Sequence, residues 1–324
     1  MTDTPPSPFH AGEIALQEAL GLADRMATLG ARMIRDHMPD QHRDFYEQLP
    51  FVVLAAVDAD GDIWATLAAG APGFVSSPDP QRLVFRLPPQ GDDPVLASLA
   101  EGSALGLLGI ELHTRRRNRM NGRVTGLTTA GFEVVVEQAF GNCPQYIRLR
   151  DAGPAGPGGA AAAPATSGTS LTPALRAWIR QADTFFVATA MADAAGRHVD
   201  ASHRGGKPGF VRVEADGSLT IPDFPGNKHF NTLGNILLNP RAGLVFPDFD
   251  RGDLLHLTGD AELLGDTATA FAGAERLWRF RPRRWQLRPA ALPLRWHARA
   301  DGLPSGSLRT GDWPGTAIPV ETLT

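Results

Sequence analysis

The chain has 324 residues, 43% of them hydrophobic and 20% charged, with a formal net charge of −4. That length can bury one large core or two smaller ones, while so small and acidic a balance excludes the basic field of a nucleic-acid binder. A single cysteine, Cys143, excludes an intrachain disulfide and a CxxC metal site, and suits a reducing compartment.

The opening "MTDTPPSPFH" has no basic region followed by an apolar run, so no signal peptide is expected. No apolar stretch reaches the ~18 residues of a membrane span. The expectation is a soluble, cytoplasmic protein that engages neither membrane nor nucleic acid. Residues 13–38, "EIALQEALGLADRMATLGARMIRDHM", carry apolar residues at helical spacing and predict an amphipathic helix that Pro39 stops. Beyond it, 35 glycines and 27 prolines favour a β-rich chain with many turns. Short apolar runs bounded by Gly, Asp and Pro predict strands at 51–57, 62–69, 73–76 and 82–87. A helix over 93–101 and strands at 104–111 and 115–124 follow. Residues 151–170, "DAGPAGPGGAAAAPATSGTS", read as a flexible linker. The order then returns: strands at 185–191, 198–204, 209–214 and 218–222, a helix over 228–238, and strands at 241–247 and 253–263. Residues 299–324 lack apolar periodicity and read as a loose tail. The expected organisation is a helical segment (1–45), a first small antiparallel barrel (46–150), the linker, a second barrel (171–298) and the tail.

The two halves share more than order. "ATLAAGAPGFV" (65–75) returns as "ASHRGGKPGFV" (201–211), with Pro-Gly-Phe-Val repeated 136 residues on. At an offset of 137, Gly106 meets Gly243, Gly122 meets Gly259, Leu96 meets Leu233 and Leu99 meets Ile236. Such an offset, kept over roughly 75 residues, indicates an internal duplication.

What differs between the copies points to chemistry. Ser202 faces Thr66, but His203, Arg204 and Lys207 face Leu67, Ala68 and Ala71. Gly205 and Gly206 let a backbone approach a ligand closely. With Ser202, Arg204 and Lys207 they read as a phosphate cradle, or alternatively as a solvated cationic turn. "PDFPGNKHFNTLGNI" (222–236) adds Asn227, Lys228, Asn231 and Thr232 at the start of the second helix, where free N–H groups favour an anion. Their counterparts, Gln90, Gly91, Pro94 and Val95, are stripped of this chemistry. The first half has its own excess in "RRRNRMNGR" (115–123), with Arg115, Arg117 and Arg119 on one face of a strand. A cation-guarded edge strand and contact with an anionic ligand remain equal alternatives. His203, His229 and His256 have no recognisable metal spacing. No GxSxG, Walker or GxGxxG motif is present, and Cys143 reads as a buried thiol rather than a nucleophile.

"FHAGE" (9–13), "QLPFVVLAAVDADGDIWATLAAGAPGFV" (48–75), "NCPQYI" (142–147), "ASHRGGKPGFV", "IPDFPGNKHFNTLGNILLNPRAGLVFPDF" (221–249) and "LPLRW" (292–296) together resemble the pyridoxamine 5′-phosphate oxidase-related, FMN-binding split-barrel proteins, in the tandem form with two barrels in one chain. The resemblance implies a mainly β fold: two six-stranded split barrels paired as an intrachain pseudo-dimer, a homodimer of chains being compatible with it. It implies FMN at the barrel–barrel interface. Ser202, His203, Arg204, Gly206, Lys207, Asn227, Lys228, Asn231 and Thr232 would hold ribityl and phosphate, and Pro222, Asp223 and Phe224 would lie near the isoalloxazine. Arg117 or Arg119 would reach across to the flavin or to an anionic substrate. A fused pair need not keep two equal sites, as a homodimer must, so one composite site per chain is expected. The implied activity is a flavin oxidoreductase on a small molecule, with a reduced nicotinamide as donor. The alternative is a non-catalytic protein that binds or senses flavin, haem or a deazaflavin. The chain lacks the substrate-binding residues that would make it a true pyridoxamine phosphate oxidase.

Overall fold

Pro39 does not end a helix; it starts one. The computed structural model describes residues 7–88, 90–156, 163–194, 196–265 and 270–314. In it the predicted single N-terminal helix is three: α1 (Ala11–Glu18), α2 (Ala23–Met33) and α3 (Asp40–Gln48). Gly21, at φ +66°, breaks α1 from α2. Pro39 is the N-cap residue of α3, at φ −59°, a conformation its ring presets. Among the described residues no helix is long and apolar enough to cross a membrane.

The first half forms one antiparallel sheet from β1 (Phe51–Val57), β2 (Ile63–Ala69), β3 (Val75–Asp79), β4 (Arg82–Phe85), β5 (Ala104–Glu111), β6 (Arg116–Thr128) and β7 (Gly131–Gly141). Its strand order is β2-β1-β5-β6-β7-β4-β3. Next come β8 (Arg150–Pro154), β9 (Thr166–Gly168) and α4 (Pro173–Gln181). The second half holds β10 (Thr184–Asp193), β11 (Gly196–Gly205), β12 (Arg212–Val213), β13 (Leu219–Asp223), α5 (Asn231–Leu238), β14 (Arg241–Pro247), β15 (Leu254–Leu263) and β16 (Arg276–Arg288). Its order, β11-β10-β14-β15-β16-β13-β12, repeats the first strand for strand, and β9 joins at β16. The fold is therefore mainly β, two tandem split barrels, as expected. The repeated order has seven strands rather than six, because β7 and β16 run back from the sixth strand to the fourth, and β9 brings the second sheet to eight.

Three further expectations change. The helix over 93–101 is a single 3-10 turn, Leu96–Ser98, after which Leu99 is already extended. The linker is partly structured: β8 pairs with β17 (Leu294–Ala298) and β9 with β16, while residues 157–162 lie outside the described residues. The tail is packed as far as it is described. After α6 (Ser305–Leu308), Trp313 is buried in the second barrel's core and donates from Nε1 to the Phe210 carbonyl at 2.8 Å.

Each barrel has its own core, around Phe85, Met120 and Val134 in the first and Phe185, Ile221 and Trp278 in the second. A third cluster, with Val53, Ala65 and Leu108 from one half and Phe186, Ala201 and Val245 from the other, is the seam between them. The duplicated glycines set its spacing. A Cβ on Gly106 would stand 2.7 Å from the Val199 carbonyl oxygen, and one on Gly243 would stand 2.3 Å from that of Ile63. Only hydrogen fits at either crossing, so the two sheets meet backbone to backbone.

Candidate functional site

At one end of that seam lies a cleft of about 840 Å³, its open mouth included, built by both halves. The first half supplies Arg117 and Arg119 from β6 and the chain just after β7, including Asn142, Cys143 and Tyr146. The second supplies the end of β11, the end of β13 and the start of α5. Strand β6 lies between β5 and β7, so its arginines do not guard an edge. Arg115, at φ +60° just ahead of β6, faces elsewhere: it donates to the carbonyls of Ile147 and Gly302 at 2.9 and 3.1 Å and so anchors the loop that carries Tyr146.

Four cationic side chains line the cleft, Arg117, Arg119, Arg204 and Lys228, against two carboxylates, Asp223 and Glu275. Arg119 is buried and crosses the seam: Nη1 reaches Asp200 Oδ1 at 3.3 Å and Nη2 donates to Ser202 Oγ. Thr232 donates to the same Ser202 hydroxyl at 3.1 Å. Asp200 is held from the far side by Asn121 and Asn235, at 2.8 and 2.7 Å. Arg204 pairs with Asp223 at 3.2 Å, and Lys228 with Glu275. Burial pushes the Asp223 carboxyl above its ordinary range, against the pull of Arg204. Arg117 is the exception. Its Nε donates to the Cys143 carbonyl at 2.6 Å, and among the described residues it has no carboxylate partner. Burial, with Arg119 and Arg204 adding, brings its pKa down to about 9. His203 is held well below the ordinary imidazole range by burial and then by Arg117 and Arg204, so it is neutral. The Nε2 of His203, the Nε atoms of Arg119 and Arg204, and Asn142 Nδ2 find no hydrogen-bond partner among the described residues.

Of the residues singled out in the sequence, Ser202, His203, Arg204, Asp223, Phe224, Asn227, Lys228, Asn231, Thr232, Arg117 and Arg119 all line this cleft. Three do not. Lys207 turns away to Asp312, at 3.1 Å. Gly206 packs on Phe210, where a Cβ would come within 2.5 Å of its ring. Pro222 sits within β13, opposite Leu277 of β16. Cys143, expected to be buried, is partly exposed and lines the cleft. Sequence reasoning missed Glu275, Asn142 and Tyr146. Tyr146 adopts φ +64° and stacks on Phe224 with ring centroids 5.0 Å apart, which gives the cleft an aromatic wall. "NCPQYI" was the only signal for that loop; Glu275 offered none.

The family model described as pyridoxamine 5′-phosphate oxidase matches residues 38–158 and 171–288, one segment in each barrel. The chain belongs to this family. It carries the family's domain twice. Similar solved structures include HupZ of Group A Streptococcus, 18% identical, covering 35% of this chain and 89% of that one with a TM-score of 0.28. The heme storage protein HutZ of Vibrio cholerae is 15% identical, covering 37% and 95%, with a TM-score of 0.25. An FAD-binding protein of Mesorhizobium loti is 14% identical, covering 38% and 97%, also at 0.25. No curated protein matches the chain.

With two family domains in one chain, the cleft has a pseudo-equivalent position, and the ladder registers locate it. Asn118 faces Gly141 in the first sheet as Leu255 faces Leu287 in the second, so Arg288 stands where Asn142 stands. Asn142 bonds Asn227 in the cleft at 3.2 Å; Arg288 bonds Gln90, the counterpart of Asn227, at 2.9 Å. Thr66 replaces Ser202. Here, however, the space is filled. The Asp93 carboxylate, 1% exposed, accepts from Thr66 Oγ1 at 2.5 Å, from Arg288 Nη1 at 2.6 Å, and from the backbone N–H groups of Val95 and Leu96 at 3.0 Å each. Those amides correspond to Thr232 and Leu233 at the start of α5, whose N-cap residue, Phe230, provides no side-chain cap. One copy of the site holds its own carboxylate; the other keeps the hydroxyl and the two amides, with Asn142 in place of Arg288 and Phe230 in place of Asp93.

Proposed function

We propose that this protein binds FMN, one molecule per chain, in the cleft between its barrels, and that it acts as a flavin-dependent oxidoreductase on a small molecule. The observation that carries this reading is the asymmetry between the copies. Where Asp93 satisfies the first, the second offers Ser202, the uncapped start of α5 and the guanidinium of Arg117, which no carboxylate among the described residues neutralises. Those are donors for a phosphate dianion. The unpartnered Nε atoms of Arg119 and Arg204 fit the same purpose. Ser202, Thr232, Arg204 and Lys228 would hold the phosphate end, with Arg117 and Arg119 supplying positive charge from the other barrel. Tyr146 and Phe224 offer a flat apolar wall suited to a ring system.

Bound FMN would supply hydride and electron transfer, and the protein would supply orientation and charge. Arg119, fixed by Asp200 and Ser202, cannot swing away, so its charge stays where the ligand's polar edge would lie. A reduced nicotinamide is the donor class to try first.

His203 favours a second reading, haem binding: it lines the cleft, is neutral, and leaves Nε2 unpartnered. One experiment addresses both. The purified protein is supplied with FMN, desalted, and its visible spectrum recorded before and after a reduced nicotinamide is added. A two-banded flavin spectrum that bleaches supports the oxidoreductase. A Soret band on haem addition, with no flavin retained, supports the second reading. Retention of neither chromophore refutes both.

A further inference from the structure

The stretch "FHAGE" lies outside the cleft, yet its side chains bear on the start of α5. The Phe9 ring meets His229 edge-on, centroids 5.3 Å apart. His10 caps α1 by accepting from the Gly12 amide at 3.2 Å, and its own amide donates to Glu13 Oε2 at 3.0 Å, which closes a capping box. Gly12 lies flat against α5: a Cβ there would stand 2.2 Å from the Gly234 carbonyl oxygen. Glu13, 3% exposed, accepts a hydrogen bond from Asn231 Nδ2 at the first residue of α5. One turn on, the fully buried Gln17 donates to the Lys228 carbonyl at 3.2 Å.

Lys228 and Phe230 both sit in the left-handed region, at φ +63° and +61°. Each costs a non-glycine residue about 1 kcal/mol or more and persists only when its surroundings hold it. Asn227 Oδ1 accepts from the His229 amide, Glu275 pairs with Lys228 and Arg276 lies over Phe230; α1 adds the contacts of Glu13 and Gln17. We propose that Glu13 and Gln17 are positioning residues that keep the Lys228–Thr232 edge in its anion-accepting shape, so that a helix outside the cleft sets the affinity for the ligand's phosphate end. The burial that raises the Glu13 carboxyl to about 8, with Asp200 adding, also keeps a further negative charge away from that edge at neutral pH.

The proposal rests on the flavin reading, and its test separates the two. FMN and riboflavin are titrated into the wild type, Glu13→Ala, Asn231→Ala and the double variant. Each single change is expected to weaken FMN about tenfold, the worth of one charge-assisted contact, while riboflavin stays within about twofold. The double variant should be no worse than the weaker single. Equal losses for both flavins, no loss, or additive losses overturn the proposal. If Glu13→Ala does not fold, Gln17→Leu must show the same FMN-selective loss. If the wild type binds neither flavin, the flavin reading fails. The clamp is then judged by hydrogen exchange of the 228–233 amides, expected to be about tenfold faster in Gln17→Leu. Unchanged exchange overturns it.

Discussion

Arg117→Met should make the ligand-free protein more stable and the ligand weaker. Arg117 is half-buried, with a backbone carbonyl as its acceptor and, among the described residues, no carboxylate beside it. A guanidinium brought down to about 9 has lost a few kcal/mol, on the order of 1.4 kcal/mol per pKa unit before solvent screening, of preference for its charged form. Methionine keeps most of the side-chain volume and removes the charge. Losing the bond to Cys143 and some packing returns part of that gain, leaving a net stabilisation of about 1–3 kcal/mol. At about 2–4 °C per kcal/mol for a chain of this size, the flavin-stripped variant should melt several degrees above the wild type. Its FMN affinity should fall at least about tenfold, since a charge-assisted contact is worth about 1.5–3 kcal/mol. Thermal melts of stripped protein and fluorescence titration with FMN measure both. A variant that melts lower than the wild type and binds FMN as tightly would refute the reasoning, for Arg117 would then serve structure rather than ligand.

Glu13 gives a pH dependence. Its folded pKa, about 8, lies above the ordinary carboxyl value of 4.5, so folding takes up a proton in that window. The contribution is full below about 4.5 and is lost as pH rises through about 8, to the extent of a few kcal/mol. Melting curves from pH 5 to 9 should show a decline in the wild type that Glu13→Gln flattens; parallel curves would count against it. Gly243→Ala should cost about 1–3 kcal/mol or more, because its Cβ would meet the Ile63 carbonyl oxygen at 2.3 Å. Unchanged denaturant midpoints would contradict the account of the seam. Asp93→Ala removes the buried carboxylate partner of Arg288, which is 5% exposed, and leaves it Asp92 and Gln90; the loss should cost about 1–3 kcal/mol. If Asp93 is the anion surrogate, phosphate or sulfate should recover part of that loss, whereas chloride at equal ionic strength should not.

Much of this was legible before any coordinates, and the reasons are local. A glycine that must sit at a sheet crossing cannot be replaced, so Gly106 and Gly243 kept the repeat visible at a fixed offset. Eleven of the fourteen expected site residues meet in one cleft, because the strands and a helix start fix where such side chains point. Lys207 was misplaced because its flexible side chain can reach either the cleft or Asp312, and the pairing partner is 105 residues away. The seventh strand was missed because β16, "RLWRFRPRRWQLR", reads as charged and carries Pro282, which sits at the bulge opposite Gly259. Glu275 reaches the site through its pairing with Lys228, a contact across the chain that no local pattern announces.

The central claim is a single anion-accepting cleft per chain, made single by Asp93. Its most direct test is a count: saturate the protein with FMN, remove the excess, denature, and quantify released flavin against chain concentration. The account predicts one FMN per chain. Two per chain would mean that the Asp93 position is also a site, and none would mean that the cleft serves some other ligand.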